Sequence, residues 1–163
     1  MAQDLPHTLK LATVWLLIGV ALFLGVSWWQ AEERATRITI DGQAIEIRRS
    51  PDGHYHWRGR IEGREIDFLV DTGATATALP QRLADQLQLV PEGVVRSATA
   101  GGVAQGTIAR VDLELEGGVH ARALRVTVLP ALTSPLLGMD VLGRLRFTQR
   151  DGVLRLEPPG NAP

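Results

Sequence analysis

Four two-residue turn signals most constrain what this chain can fold into: Asp41-Gly42, Asp52-Gly53, Gly117-Gly118 and Asp151-Gly152, each set between runs rich in Ile, Val and Leu. Such pairs accept the positive φ of tight hairpin turns, whose backbone twist matches that of the flanking strands. The runs read as strands near 38–40, 45–48, 54–61, 64–71, 94–99, 107–115, 120–129, 145–149 and 153–157. Two helices break the pattern: one from Pro80, a good first-turn residue, through PQRLADQLQL, and a short one after Gly138. The fold class is therefore all-β with one or two short helices. No internal repeat or low-complexity stretch interrupts it.

Ahead of these strands, Leu11 to Trp29 reads LATVWLLIGVALFLGVSWW without a charge, close to the roughly 20 residues that cross a bilayer as a helix. Trp28 and Trp29 suit the headgroup region, where amphipathic rings settle. The rival is a cleavable signal peptide, but the run is long for that purpose and no small-x-small cleavage site follows Gly25. An uncleaved anchor is the reading favoured. Lys10 precedes the span and Arg34 and Arg37 follow it, so positive charge says little about orientation. A short tail before a lone first span, with a whole domain after it, fits a signal anchor whose domain is exported. The expectation is a single-pass protein of a bacterial inner membrane with its domain in the periplasm. Ala21 and Gly25 form a small-xxx-small pair that could let two spans pack closely. The chain then divides into a tail (1–10), the transmembrane anchor (11–29), a juxtamembrane linker with a possible leading hairpin (30–51), a β domain (52–158) and a C-terminal tail (159–163).

A length of 163 residues leaves room for one ordinary core. With a formal net charge of -1 and a pI of about 6.4 there is no global basic field, and no nucleic-acid partner is expected. The absence of cysteine removes disulfides, thiolate zinc sites and cysteine nucleophiles together. His54-x-His56 on a strand would put two imidazoles on one face. That face continues into Arg58 and Arg60, cations that disfavour a divalent ion, while Tyr55, Trp57 and Ile61 form the apolar face. Without a third ligand, a solvated polar face is the simpler reading, and neither metal nor cofactor is expected. No phosphate-binding glycine loop and no Ser-His-Asp order stands out.

FLVDTGATATALP, Phe68 to Pro80, drives three apolar residues straight into Asp-Thr-Gly. That triplet, with Thr or Ser in the middle, turns up by chance in roughly 7% of chains this long, so alone it is weak. An exposed turn is the bland reading. Context opposes it, because the preceding IDFLV should be buried and the following ATATAL lacks the polar cluster of an exposed turn. An aspartate at the end of a buried strand needs hydrogen-bond partners or a neighbouring charge. Further along, SATAGGVAQGTI (Ser97 to Ile108) carries Gly101, Gly102 and Gly106 where two strands must turn. SPLLGMDVLGRL (Ser134 to Leu145) then places two leucines before a glycine and a short apolar helix.

In this order the three features resemble the single-lobe aspartic proteases, the retroviral enzymes and their membrane-anchored bacterial relatives, and the resemblance covers about Asp52 to Pro158. The resemblance implies a retropepsin-like acid-protease half-lobe, a closed β-barrel-like fold. Asp71 matches the catalytic aspartate; Thr72 matches the threonine that holds the opposing loop across the dimer; and Gly73, with Ala74 beside it, matches the support that lets substrate approach. Ala100, Gly101, Gly102 and Val103 match the flap that closes over a bound peptide, and Leu136, Leu137 and Gly138 match the segment behind the catalytic loop. Many retroviral members hold an aspartate and an arginine where this chain has Thr75 and Met139. Both are absent together, as the loss of an ion pair requires.

Peptide hydrolysis by aspartates needs two carboxylates sharing one proton. Asp140 is the tempting second acid, but an Asp at that place more often caps or completes a helix start. The resemblance implies instead a twofold homodimer with one Asp71 from each protomer, acting on a peptide or protein substrate. The alternative is a catalytically idle relative that keeps the fold as a peptide-binding or dimerisation module.

Overall fold

The computed structural model describes residues 7–33, 37–40, 44–99 and 102–157. The chain divides into two units, Met1–Ala35 and Thr36–Pro163. The first holds helix α1 (His7–Glu33), longer at both ends than the expected span. Among the described residues, no helix is long and apolar enough to cross a membrane.

The second unit holds strands β1 (Arg37–Ile40), β2 (Ile45–Arg48), β3 (His56–Ile61), β4 (Arg64–Val70) and β5 (Ala78–Pro80), then helix α2 (Gln81–Gln86). Strands β6 (Gly93–Thr99), β7 (Gly102–Leu115), β8 (Val119–Leu129) and β9 (Leu136–Leu137) follow, then helix α3 (Met139–Leu142) and strands β10 (Arg146–Arg150) and β11 (Val153–Glu157). Eight strands run in the order β1-β8-β5-β9-β4-β3-β7-β6, and β7 also pairs with β8. That extra pairing closes β8-β5-β9-β4-β3-β7 into a barrel, leaving β1 and β6 as edges. A separate sheet, β10-β11-β2, is antiparallel throughout.

Alternation in the sequence explains the core. Trp57, Ile61, Ile66 and Phe68 point inward from β3 and β4, while Arg58, Arg60 and Asp67 between them face water. They meet Val111 and Leu113 from β7 and Val126 and Val128 from β8 in one cluster. The Trp57 indole nitrogen donates to the Glu116 carbonyl at 2.9 Å, which settles the one polar atom of that side chain. At the β3–β4, β7–β8 and β10–β11 turns both residues have positive φ: Glu62 and Gly63, Gly117 and Gly118, Asp151 and Gly152. At Gly117-Gly118 and Asp151-Gly152 this is the hairpin geometry read from the sequence; Asp52-Gly53 closes no hairpin, because β2 and β3 on either side of it lie in different sheets and the turn is held locally by the Gly53 N–H donating to the Ser50 carbonyl.

Several boundaries differ from the sequence reading. Asp41 and Gly42, read as the turn of a leading hairpin, lie outside the described residues; the strands on either side pair elsewhere, β1 with β8 and β2 with β11, in different sheets. Strand β3 starts at His56, leaving His54 in the preceding turn, because Ser50, Asp52 and His54 are tied to one another there. Strand β7 starts at Gly102, well before residue 107, because β6 pairs along its full length. Helix α2 stops at Gln86, short of Leu89, with Pro80 at its N-cap and Gln88 at a φ of 54°. Strands β5 and β9, three and two residues long, were not anticipated. The expected tail at 159–163 lies outside the described residues.

Phe68 is fully buried on the strand that leads to Asp71. Phe68→Ala should cost about 3–5 kcal/mol of stability, read as a lowered midpoint of denaturant unfolding in the full-length chain.

Candidate active site

Strand β4 lies between β3 and β9, and β9 separates it from β5. The chain leaves β4 at Val70, loops through Asp71–Thr77 and re-enters the barrel as β5 on the far side of β9. The loop therefore straddles Leu136 and Leu137, which pair in parallel with Leu69 and Val70. Its near end is fixed by the Asp71 N–H donating to the Leu137 carbonyl at 3.0 Å. In its middle, the Met139 and Asp140 N–H groups donate to the Ala74 and Thr75 carbonyls at 2.8 and 3.2 Å.

Asp71 is half-buried, and its Oδ1 accepts the Gly73 N–H at 2.9 Å. Thr72 and Gly73 are exposed beside it. A Cβ at Gly73 would stand 3.2 Å from that same oxygen, so glycine keeps the approach to the carboxylate open. Asp71 lines neither of two surface concavities of about 630 and 390 Å³ in the single chain. Among the described residues no second carboxylate pairs with it: both Asp140 oxygens accept from Thr77, its Oδ2 from the N–H at 2.9 Å and its Oδ1 from the hydroxyl at 2.8 Å. Asp140 is not the N-cap of α3 either. Gly138 holds that position, and Asp140 stands in the first turn, its Oδ1 also accepting the Val141 N–H at 3.0 Å.

Gly138 supports the loop from below by having no side chain. A Cβ there would lie 2.5 Å from the Ala76 carbonyl carbon, 2.7 Å from its oxygen and 2.8 Å from the Thr77 nitrogen.

This arrangement is matched elsewhere. Residues 57–144, just over half of the 163-residue chain, match the family described as "gag-polyprotein putative aspartyl protease". The matched span runs from β3 through the Asp71 loop to the end of α3. The chain belongs to the retropepsin-like aspartic protease family. In fold it is similar to a retropepsin-like aspartic protease from Rickettsia conorii (24% identity, 75% of this chain and 93% of that one, TM-score 0.56). It is also similar to EIAV protease complexed with the inhibitor HBY-793 (20% identity, 58% and 89%, TM-score 0.51). A sequence relative is an uncharacterised protein in the cobV 5′ region of Sinorhizobium sp, 34% identical over 131 residues. The alignment takes in 76% of this chain, which spans 56% of that relative's length.

Within the retropepsin-like domain, the structure brings the Asp71–Ala74 stretch together with Leu136, Leu137 and Gly138. Of the residues matched to a flap by resemblance, Ala100 and Gly101 lie outside the described residues, while Gly102 and Val103 open β7 opposite Thr99 and Ala98. Val94 and Val103 on this hairpin are 69% and 75% exposed, apolar side chains without cover in the single chain. Gly106 is no part of the tip. It lies where β7 crosses β8, and a Cβ there would collide with the Val128 carbonyl. The residue the sequence reading missed is Thr77, the one buried polar side chain among the described residues.

His56, the first residue of β3, bridges Asp52 (Nε2 to Oδ2, 2.8 Å) and Asp67 on β4 (Nδ1 to Oδ2, 3.2 Å). Only a protonated ring donates to both. The Asp52 hydrogen bond, with the Asp67 charge second among the favourable causes, raises the His56 pKa. The His54 N–H, then His56, hold the Asp52 carboxyl below its ordinary range. Among the described residues no group of three or more potential metal ligands is assembled.

Two outcomes follow from this geometry. Gly138→Ala should destabilise the chain by about 1–3 kcal/mol, because backbone must move to admit the methyl group; thermal or denaturant unfolding checks this. For the histidine bridge the sign comes from each shift. A raised His pKa gives stability that is complete below about pH 6.5 and lost as pH rises through the folded value. A lowered Asp pKa gives stability present above about pH 4 and lost on further acidification. The melting temperature should therefore fall as pH rises from 6 towards 8, and His56→Gln should flatten that part of the profile.

Proposed function

We propose that this chain is an aspartic endopeptidase whose two-carboxylate site is completed by a second copy of itself. The observation that carries the reading is the disposition of its acids. Asp71 follows β4, is half-buried and accepts one hydrogen bond, from the Gly73 N–H, while the carboxylate of Asp140 is committed to Thr77. One chain therefore offers half of a dyad. Twofold symmetry supplies the other half at no cost in sequence, since the same loop meets itself across the axis. Exposed Thr72 stands ready to contact the opposing loop, and the uncovered valines of the β6–β7 hairpin gain a use in covering a bound peptide.

In such a site one ionised Asp71 takes a proton from a water molecule, whose oxygen attacks the scissile carbonyl carbon, while its protonated mate donates to the carbonyl oxygen. The tetrahedral adduct then collapses with proton transfer to the amide nitrogen, and the C–N bond breaks to give a carboxylic acid and an amine. Substrate would lie extended between the two flaps, with main-chain hydrogen bonds giving affinity and side-chain pockets giving selectivity. A second, uncatalytic use of the same fold, as a peptide-binding module, would need none of the groups that keep Asp71 open.

We also propose that the chain is attached to a bacterial inner membrane through its N-terminal segment, with its domain in the periplasm. The uncharged run from Leu11 to Trp29 supports this, as does the short tail ahead of it. Anchoring would aid assembly, because two protomers in one bilayer meet at a raised effective concentration.

The test is cleavage of a mixed peptide library by the full-length protein beside Asp71→Asn, with the oligomeric state measured on the same samples. Asp71→Asn should lose at least about 1,000-fold in kcat, and activity should follow the dimer fraction. Equal cleavage by both proteins would reject the role of Asp71; no cleavage by either, with peptide still bound, would leave the binding module.

A further inference from the structure

The second acid of the site has a use of its own. Thr77 is fully buried, and a buried hydroxyl or amide without a partner is costly. Its hydroxyl donates to Asp140 Oδ1 at 2.8 Å and accepts the Gly138 N–H at 3.3 Å; its N–H donates to Asp140 Oδ2 at 2.9 Å; its carbonyl accepts the Thr127 N–H at 3.0 Å. Every polar group of Thr77 is thus satisfied, and one carboxylate satisfies two of them. Thr77 is also the last residue of the loop that begins at Asp71. Hydrogen bonds join the loop to the start of α3 as well: the Met139 and Asp140 N–H groups donate to the Ala74 and Thr75 carbonyls.

We propose that Asp140 is a positioning residue for Asp71. It acts through Thr77 to pin the far end of the loop, while the Asp71–Leu137 backbone bond pins the near end. This rests on the reading of Asp71 as the catalytic carboxylate. Hydrogen bonds to a charged acceptor are shorter and stronger than neutral ones, so a carboxylate suits a two-donor clamp. A loop held at both ends keeps Asp71 aimed at its symmetry mate; held at one end, it drifts. Asn at position 140 preserves most of the clamp, because its carbonyl can accept the Thr77 N–H while its amide donates to the Thr77 hydroxyl oxygen. A residue whose proton took part in the chemistry could not be replaced so.

The experiment measures kcat, KM and the pH–rate profile of peptide cleavage in the full-length protein, with amide hydrogen exchange at Gly73, Ala74 and Thr77. The variants are Asp140→Ala, Asp140→Asn, Thr77→Val and Thr77→Ser. A small misplacement of a reacting group can cost about 100-fold. Asp140→Ala and Thr77→Val should lose about that in kcat with KM moved by less than about 3-fold, and the three amides should exchange faster while those of Val111 and Val126 do not. Asp140→Asn and Thr77→Ser should recover to within about 10-fold of the starting protein with both limbs of the pH profile in place. If Asp140→Asn is as inactive as Asp140→Ala and its pH profile has lost a limb, Asp140 acts through its proton and the proposal fails. It fails equally if Asp140→Ala keeps full kcat and full protection. Should Asp140→Ala not fold, the Thr77 pair decides. Should the unmutated protein cleave nothing, the protease reading falls by itself, and the exchange data alone judge the clamp.

Discussion

Thr77 and Gly138 stand 61 residues apart in sequence, yet their backbones approach so closely that no side chain fits between them. Much of the domain can be traced from that contact. It requires β9 to run between β4 and β5, and so requires the loop after β4 to arch over Leu136 and Leu137 instead of turning back as a hairpin. It orients the first turn of α3 towards the loop, so that Met139 and Asp140 donate to Ala74 and Thr75. The loop that presents Asp71 is consequently a stretch of irregular backbone whose polar groups are satisfied by another irregular stretch. Neither could be buried alone, since unpaired amides and carbonyls would offset the gain from packing.

Two aspartates meet this loop and are put to opposite uses. Around Asp140, donors converge from Thr77 and Val141, and its charge is absorbed by the structure. Around Asp71, Gly73 supplies a single N–H and then, lacking a side chain, withdraws. Its remaining capacity faces outward. A carboxylate placed in that way is a poor structural element and a good reactive one, and its single hydrogen bond in the single chain fits a site that another copy must finish. The same division runs through the barrel, where the buried faces of β3, β4, β7 and β8 are apolar and the charges are carried on the outer faces.

The strands with a long apolar alternation and a paired turn signal were legible before any coordinates, and so was the pattern of Asp71-Thr72-Gly73 with Leu136-Leu137-Gly138. Strands β5 and β9 were not, because two or three residues carry no periodicity and their pairing, parallel in part, reaches across the whole domain. Thr77 escaped notice for a related reason. In ATATAL it is one more small, β-branched residue suited to a strand, and nothing adjacent in sequence shows that its hydroxyl meets Asp140. Asp140 itself was read against the helix it opens, which is the partner visible locally; its stronger partner arrives from the loop after β4. The His54 and His56 pair, read as one solvated face, separates into a turn residue and a bridge between Asp52 and Asp67.

By itself the sequence determined the all-β class, the apolar faces of β3, β4, β7 and β8, the hairpin turns at Gly117-Gly118 and Asp151-Gly152, and Asp71 as the acid worth suspecting. These depend on period, on residues that accept positive φ and on short ordered motifs, all of which are local. Tertiary structure alone decided which acid is spent and which is free, because that choice depends on donors brought together from chain segments some sixty residues apart. A carboxylate takes its role from the N–H and O–H groups that reach it, and those are a property of the assembled fold.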